Sequence, residues 1–285
     1  MPLAELDQIA ALLVAGREHR DAWLPLRGTR NSGFKIPGKS AGLVESAVLT
    51  ADVGLQDEAR REIQDLLSDS EVRVIPAVSP NYPTRLRDLD GRPALLFVQG
   101  SLMEPLLPPL AIVGSRNASR AGLRGAREVA RAAAAAGHEI ISGLAAGIDS
   151  SGHQGALDGG GRTIAVMGTG LGRVFPGENR VLAETIAQNG ALVTQFPPTY
   201  PPTKTTFPAR NALIAALSDV SLLIEMNENS GTRIEANCAI AQGKRVLLWA
   251  PTLEPNAWAR RFADQPHVAF VETPDDVLSE LSVIT

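Results

Sequence analysis

The sequence predicts an α/β fold, a doubly wound and mostly parallel sheet with a small helical domain in front of it. Three observations carry that prediction. From residue 110 onward, short β-rich apolar runs alternate with helix-forming stretches, which is the pattern of a parallel sheet covered on both faces. The 285 residues are 44% apolar, enough to bury a full core and to exclude wholesale disorder. The single cysteine, Cys238, can form neither an intramolecular disulfide nor a thiolate metal cluster, so packing has to hold the fold.

Taken in order, residues 1–70 predict helices at 3–16, 41–52 and 56–68 around the stretch RGTRNSGFKIPGKS, a small helical domain. Residues 71–109 hold two apolar runs among several prolines and read as an approach strand and linker. The main domain, 110–285, offers six strands: LAIVG (110–114), EIIS (139–142), TIAVMG (163–168), ALVTQF (191–196), VSLLIE (220–225) and RVLLWA (245–250). Between the first two lies SRAGLRGAREVARAAAAAG, with Ser119 as N-cap and Gly137 as terminator of an alanine-rich helix. Its Arg120, Arg124, Arg127 and Arg131 share one face, and Leu123, Ala126, Ala130 and Ala133 share another. A solvated outer face outweighs nucleic-acid contact as the reading of those arginines.

A formal net charge of −4 excludes a histone-like cationic coat. The distribution is uneven: basic and acidic residues number 12 and 15 in 1–109, 13 and 10 in 110–245, and 2 and 6 in 246–285. An anion site is therefore expected in the middle segment. The opening MPLAELDQIAALL lacks the basic patch of a secretory leader, and no apolar run approaches the roughly 18 residues that span a bilayer. A soluble cytoplasmic protein without membrane attachment is expected.

Several motifs compete to carry chemistry. GFKIPGKS (33–40) satisfies a P-loop pattern, but no buried strand precedes it and Pro37 removes an amide donor. GTGLG (168–172) follows a strand, yet its glycine spacing and the missing strand-end acid set it apart from a dinucleotide fingerprint. Three other strand ends fit an anion site better, because the ligand crevice of an open parallel sheet lies at the carboxyl ends of its strands. Gly114, Ser115 and Arg116 combine close backbone approach, a hydroxyl and a planar cationic fork. Ser142 and Gly143 open a turn into a helix whose amides favour an anion. Ser230, Gly231 and Thr232 begin another helix. Each alone could be a simple cap, whereas three around one crevice suggest a phosphate-binding groove.

Residues 196–212, FPPTYPPTKTTFPARNA, hold five of the 20 prolines and read as a stiff, aromatic lid. In it Lys204, Phe207, Arg210 and Asn211 join cationic charge for phosphates to a ring on which a base can stack. Asp149 and His153, four apart, would share a helix face, but no third metal ligand accompanies them, and adding Ser142 does not give a hydrolase triad in any known order. Structural hydrogen bonding is the favoured role for these three.

LAIVGSR, SGLAAGIDSSGHQGAL, GGRTIAVMGTGLGRVFPGENRVL, GALVTQFPP, KTTFPARNALIAALS and the SG of NSGT together resemble the Smf/DprA family of DNA-processing proteins, from about residue 79 to 251. The resemblance implies a Rossmann-like core that binds single-stranded DNA, works as a homodimer, and helps load a RecA-type recombinase during DNA uptake. It implies no catalytic turnover and no cofactor or metal. By that resemblance Gly114, Ser115 and Arg116 form a phosphate-contacting turn, Ser142 and Gly143 begin the SGxAxGID segment, and Lys204, Phe207, Arg210 and Asn211 form the KxxFPxRN segment, with Ser230 and Gly231 opposite.

Departures from the family pattern are local. Ala146 and Ala212 stand where the family usually carries arginines, SGTRIEA replaces SGSLITA, and no winged helix is expected after TPDDVLSELSVIT. Fewer cations imply a shallower salt dependence of binding. GTRIE is similar to the GTxxE element of LOG-type nucleotide phosphoribohydrolases. That likeness implies an alternative in which Glu235 assists N-glycosidic cleavage while Arg116 holds phosphate; a nucleotide sensor without turnover is a third reading.

Overall fold

The computed structural model describes residues 72–284 apart from 78, 88, 90, 91 and 227–230, together with scattered positions between 57 and 68. The helices expected at 3–16 and 41–52, the GFKIPGKS segment and Ser230 lie outside the described residues, and the helix expected at 56–68 is described only in part.

The described residues form nine strands: β1 (Val72–Pro76), β2 (Leu95–Gly100), β3 (Leu110–Val113), β4 (Ile140–Ser142), β5 (Thr163–Val166), β6 (Ala191–Thr194), β7 (Val220–Leu223), β8 (Arg245–Trp249) and β9 (Val268–Val271). They make one sheet in the order β1-β2-β6-β5-β4-β3-β7-β8-β9. All six expected strands are present, ending earlier than read wherever the chain turns out of the sheet into a loop. The stretch read as approach strand and linker supplies β1 and β2, which pair antiparallel with each other and, through Phe97 opposite Thr194, with β6. Pro76 is tolerated because β1 is an edge strand. At the opposite edge β9 adds VAFV, a run too short to stand out in an acidic tail.

Among the described residues from Val72 onward the helices are α1 (Thr84–Arg87), α2 (Arg120–Ala135), α3 (Ile148–Asp158), α4 (Arg180–Asn189), α5 (Thr206–Leu217), α6 (Thr232–Ala241), α7 (Ala250–Leu253), α8 (Ala257–Phe262) and α9 (Pro274–Ser282). Strand periodicity sorts them into two layers. Leu110 and Ile112 of β3 pack with Ala126 and Val129 of α2, Ile148 of α3 and Val277 of α9. Their neighbours Ala111 and Val113 point the other way, onto Leu213 of α5 and Ala236 of α6. Burying such side chains contributes about 1.5–3 kcal/mol for each larger aliphatic group.

Helix α2 follows the sequence reading closely. Ser119 Oγ accepts from the Gly122 amide at 3.0 Å and caps the helix. Arg120, Arg124, Arg127 and Arg131 are exposed, and Arg127 pairs with Asp158 at 2.6 Å.

The strand order fixes where a ligand can bind. From β3 the chain steps to β4, β5 and β6 on one side, then returns to β7, β8 and β9 on the other, so the order reverses between β3 and β7. Val113 pairs with Leu223 and Ala111 with Ile141, which brings the carboxyl ends of β7, β3 and β4 to one rim. The crevice of a doubly wound sheet opens at such a switch point.

Candidate functional site at the carboxyl rim of the sheet

A cleft of about 530 Å³ opens at this rim, walled by the turn after β3 and the amino-terminal turns of α5 and α6. Hydrogen bonds pin the turn after β3. The Ser115 amide donates to the Glu225 carbonyl at 2.8 Å, the Ser115 carbonyl accepts from the Ile148 amide at 3.2 Å, and Ser115 Oγ accepts from the Asn117 amide at 3.2 Å. Gly114 is required by close approach, since a Cβ there would lie 2.6 Å from Ile148 and 2.9 Å from the Glu225 carbonyl oxygen. With its neighbours held, Arg116 projects as an exposed cation with no carboxylate partner among the described residues.

Arg116 lies over the face of Phe207, its Cζ 4.8 Å from the ring centroid. Phe207 belongs to the first turn of α5 and meets Phe175 at 6.0 Å between centroids, tilted by 48°. The proline-rich stretch before it is pinned rather than free: the Gly170 amide donates to the Tyr200 carbonyl and the Gly172 amide to the Pro198 carbonyl, both at 3.0 Å. In the structure the expected lid packs as one wall of the cleft and runs into a helix start, and Lys204 is exposed in the turn that leads into it, outside the cleft lining.

Below the mouth the same chemistry turns inward. Arg210, expected to meet phosphates, is 5% exposed and faces Asp149 Oδ2 at 3.6 Å, with the Val166 carbonyl at 3.4 Å. Burial lowers the Arg210 pKa while the Asp149 charge opposes the fall, and burial raises the Asp149 carboxyl while Arg210 holds it down. Gly143 leaves the space for this guanidinium, since a Cβ there would overlap Arg210 Nη1.

The Ser142–Gly143 turn therefore lies beneath the cleft rather than along it. Ser142 is fully buried, and its hydroxyl donates to the Ile112 carbonyl at 2.6 Å. His153 Nδ1 bonds Thr163 Oγ1 at 2.7 Å and Thr163 Oγ1 donates to the Ile140 carbonyl, so Nδ1 carries the proton. Burial pushes this imidazole down to about 3, and it stays neutral. Neither an Asp149–His153 dyad nor a triad with Ser142 is assembled.

On the α6 side, Asn211 Nδ2 donates to the Gly231 carbonyl at 3.0 Å and ties the two helix starts together. Glu235 lines the cleft at 1% exposure, with Oε1 accepting from Ser221 Oγ at 2.7 Å. Burial pushes its carboxyl up to about 7, and Asp149 adds to the rise, while the Ser221 hydroxyl and Arg210 oppose it. Sequence reasoning missed three members of this arrangement: Asp149 as the partner of Arg210, Ser221 as the donor to Glu235, and Glu225. The Glu225 carboxylate receives the Ser119 amide at 3.0 Å and the Ser119 hydroxyl at 2.6 Å, which places a negative charge at the start of α2. An acid two residues past β7 was the available signal, while its Ser119 partner, 106 residues away, is set by the β3–β7 pairing.

The family described as DNA recombination-mediator protein A matches residues 73–282. Protein Smf of Escherichia coli (strain K12) is 38% identical over 210 residues, 73% of this chain and 56% of that protein. DNA processing protein DprA of Bacillus subtilis (strain 168) is 32% identical over 214 residues, 74% of this chain and 71% of that protein. The chain spans about half the length of the first curated relatives it matches, 56% for the Escherichia coli protein and 41% for protein Smf of Synechocystis. Among solved structures, DprA of Streptococcus pneumoniae aligns with a TM-score of 0.67 at 27% identity, over 97% of this chain and 93% of that one. DprA of Helicobacter pylori, whose structure concerns a unique single-stranded DNA binding mode, has the same fold at a TM-score of 0.67 and 24% identity, over 75% of this chain and 97% of that one.

Proposed function

The chain belongs to the DNA recombination-mediator protein A family, and from that premise we propose that its rim cleft binds single-stranded DNA, with Arg116 and Lys204 on phosphates and a base stacked on Phe207. The observation that carries this reading is the exposed Arg116 guanidinium 4.8 Å from the Phe207 ring centre, at the mouth of a cleft on the topological switch point. A cation beside an aromatic face suits a sugar-phosphate strand, which presents a charge and a π-face at every residue. Gly114 and Ser115 hold that arginine in place, and Asn211 with Gly231 holds the opposite wall.

Support for a recombinase as the onward partner in recombination comes from the family's description as a recombination mediator, and a role in strand uptake rests on the sequence resemblance. Homodimer formation and a cytoplasmic setting belong to the same proposal, and among the described residues no helix is long and apolar enough to cross a membrane. The relatives from Bacillus subtilis and Streptococcus pneumoniae are named as DNA processing proteins, so cleavage of a nucleotide by Glu235 and Arg116 is set aside. Fluorescence anisotropy with short labelled oligonucleotides tests the reading. Phe207→Ala should weaken binding by about 1–3 kcal/mol, and Arg116→Ala should weaken it alike for every sequence. Unchanged affinity in both variants overturns it.

A further inference from the structure

Two buried polar atoms on the cleft wall have no hydrogen-bond partner: Arg210 Nε and Glu235 Oε2. Both side chains line the cleft and both are more than nine-tenths buried, at 5% and 1% exposure. Their other atoms are already engaged, Arg210 Nη1 with Asp149 and the Val166 carbonyl, and Glu235 Oε1 with Ser221 Oγ. Leaving a buried donor or acceptor unmet costs about 1–3 kcal/mol, more for a charged group. Both atoms lie beneath the cleft surface, where a ligand that presses into the wall completes their bonding.

The mouth supplies the second half of the argument. Arg116 lies over the Phe207 ring, so a base stacks there by taking the guanidinium's place as Arg116 turns onto a phosphate, in a cleft with room for one base and its sugar. Stacking on a ring leaves a base's edge free to meet polar groups on the surrounding wall. An ionised carboxylate only accepts hydrogen bonds. It therefore suits an exocyclic amino group and repels a carbonyl at the same place.

We infer that Glu235 makes the cleft selective among bases, favouring those that present an exocyclic amino group, cytosine and adenine, over thymine. The inference rests on the single-stranded DNA reading and deepens it. The N4 amino group of cytosine or the N6 amino group of adenine donates to Glu235 Oε2, whereas O4 of thymine would set a lone pair against it. Guanine presents N1–H beside its exocyclic amino group, two donors that a carboxylate accepts, and belongs with cytosine and adenine on the favoured side.

The accepting form of Glu235 is the ionised one, which gives the selectivity a pH dependence. The groups facing it are Ser221 from β7, Asp149 from α3 and Arg210 from α5, with Arg116 from the turn after β3 acting on the last two. Burial is the largest of the influences on Glu235 and holds it up at about 7. An amino donor in the cleft favours the carboxylate, so discrimination strengthens from about pH 6 to about pH 8.

The test is anisotropy of the full chain with oligodeoxycytidine, oligodeoxyadenosine and oligothymidine of equal length. At about pH 8 the amino-bearing strands should bind roughly tenfold tighter relative to thymidine than they do to Glu235→Gln. Taking the ratio between the two proteins cancels differences in how the free strands stack on themselves. Glu235→Gln keeps the volume and places an amide N–H where Oε2 was, so its preference should move toward thymidine while its thermal unfolding remains cooperative. The wild-type preference should also shrink as the pH falls to about 6, a readout that needs no variant. A wild-type protein that binds all three strands equally at both pH values overturns the inference, as does a Glu235→Gln variant that keeps the wild-type preference. If no strand binds at all, the single-stranded DNA reading falls with it; if all bind equally, only the inference falls.

Discussion

At the mouth of the cleft Arg116 is exposed and lies over Phe207, while one helical turn further along α5 Arg210 is 5% exposed and faces Asp149. The two guanidiniums lie 4.8 and 5.9 Å from the same ring centre, so distance from the ring hardly separates them. Surroundings do. Arg116 exchanges water for phosphate with little desolvation, whereas Arg210 is already neutralised inside the wall and withdrawing it would strand Asp149. A cation's place in a binding motif therefore does not say whether its charge is available. In this chain the mouth holds mobile charge and the floor holds structural charge.

The largest expected effect separates these roles by stability. Arg210→Met should destabilise the fold by about 3–5 kcal/mol, because it leaves Asp149 buried without its partner. Arg116→Met should stay within about 0.5 kcal/mol, as exposed substitutions do. Urea unfolding followed by circular dichroism measures both. Equal effects in the two variants would break the contrast between mouth and floor.

A smaller effect concerns Glu235 as a floor charge. Its carboxyl sits at about 7 in the folded state against an ordinary 4.5, so the folded protein holds this proton more tightly than the unfolded chain does. The resulting stability is fully present below about pH 4.5, is lost as the pH rises, and is gone above about 7. Wild type should accordingly fall behind Glu235→Gln by roughly 3 kcal/mol between those limits. Unfolding midpoints of both proteins across that range check it. Parallel curves would mean that Glu235 is not buried as a charge.

Much of the fold was legible because it depends on local periodicity. The apolar runs at 110–113, 140–142 and 220–223 are short and bounded by turn residues, and Ser119 announces its helix. Strands β1 and β2 were less visible, since Pro76, Pro80, Pro83 and Pro93 break the pattern that an edge position tolerates. For the site, the meeting of Arg116 and Phe207 followed from setting a strand-end turn against an aromatic, basic lid over the same rim. What stayed hidden were pairings set by strand order alone. Asp149 and Arg210 lie far apart in sequence and come together only because β4 and β5 adjoin between α3 and α5. Whether an arginine is exposed or paired depends on that long-range contact, and no spacing rule encodes it.

The smallest effect gives the sharpest separation of mouth from floor, because it counts charges rather than energies. A cation that meets a phosphate releases counterions from the strand and adds about 0.7 to the slope of log affinity against log salt. Arg116→Ala should lower that slope by about 0.7, and Lys204→Ala, exposed just before α5, by a similar amount. Arg210→Met should weaken binding through the damaged floor yet leave the slope unchanged, because Asp149 already balances its charge. Anisotropy titrations at several salt concentrations read all three slopes. A slope that falls with Arg210→Met as it does with Arg116→Ala would mean that the strand reaches past the mouth and draws Arg210 away from Asp149, making the floor part of the phosphate track.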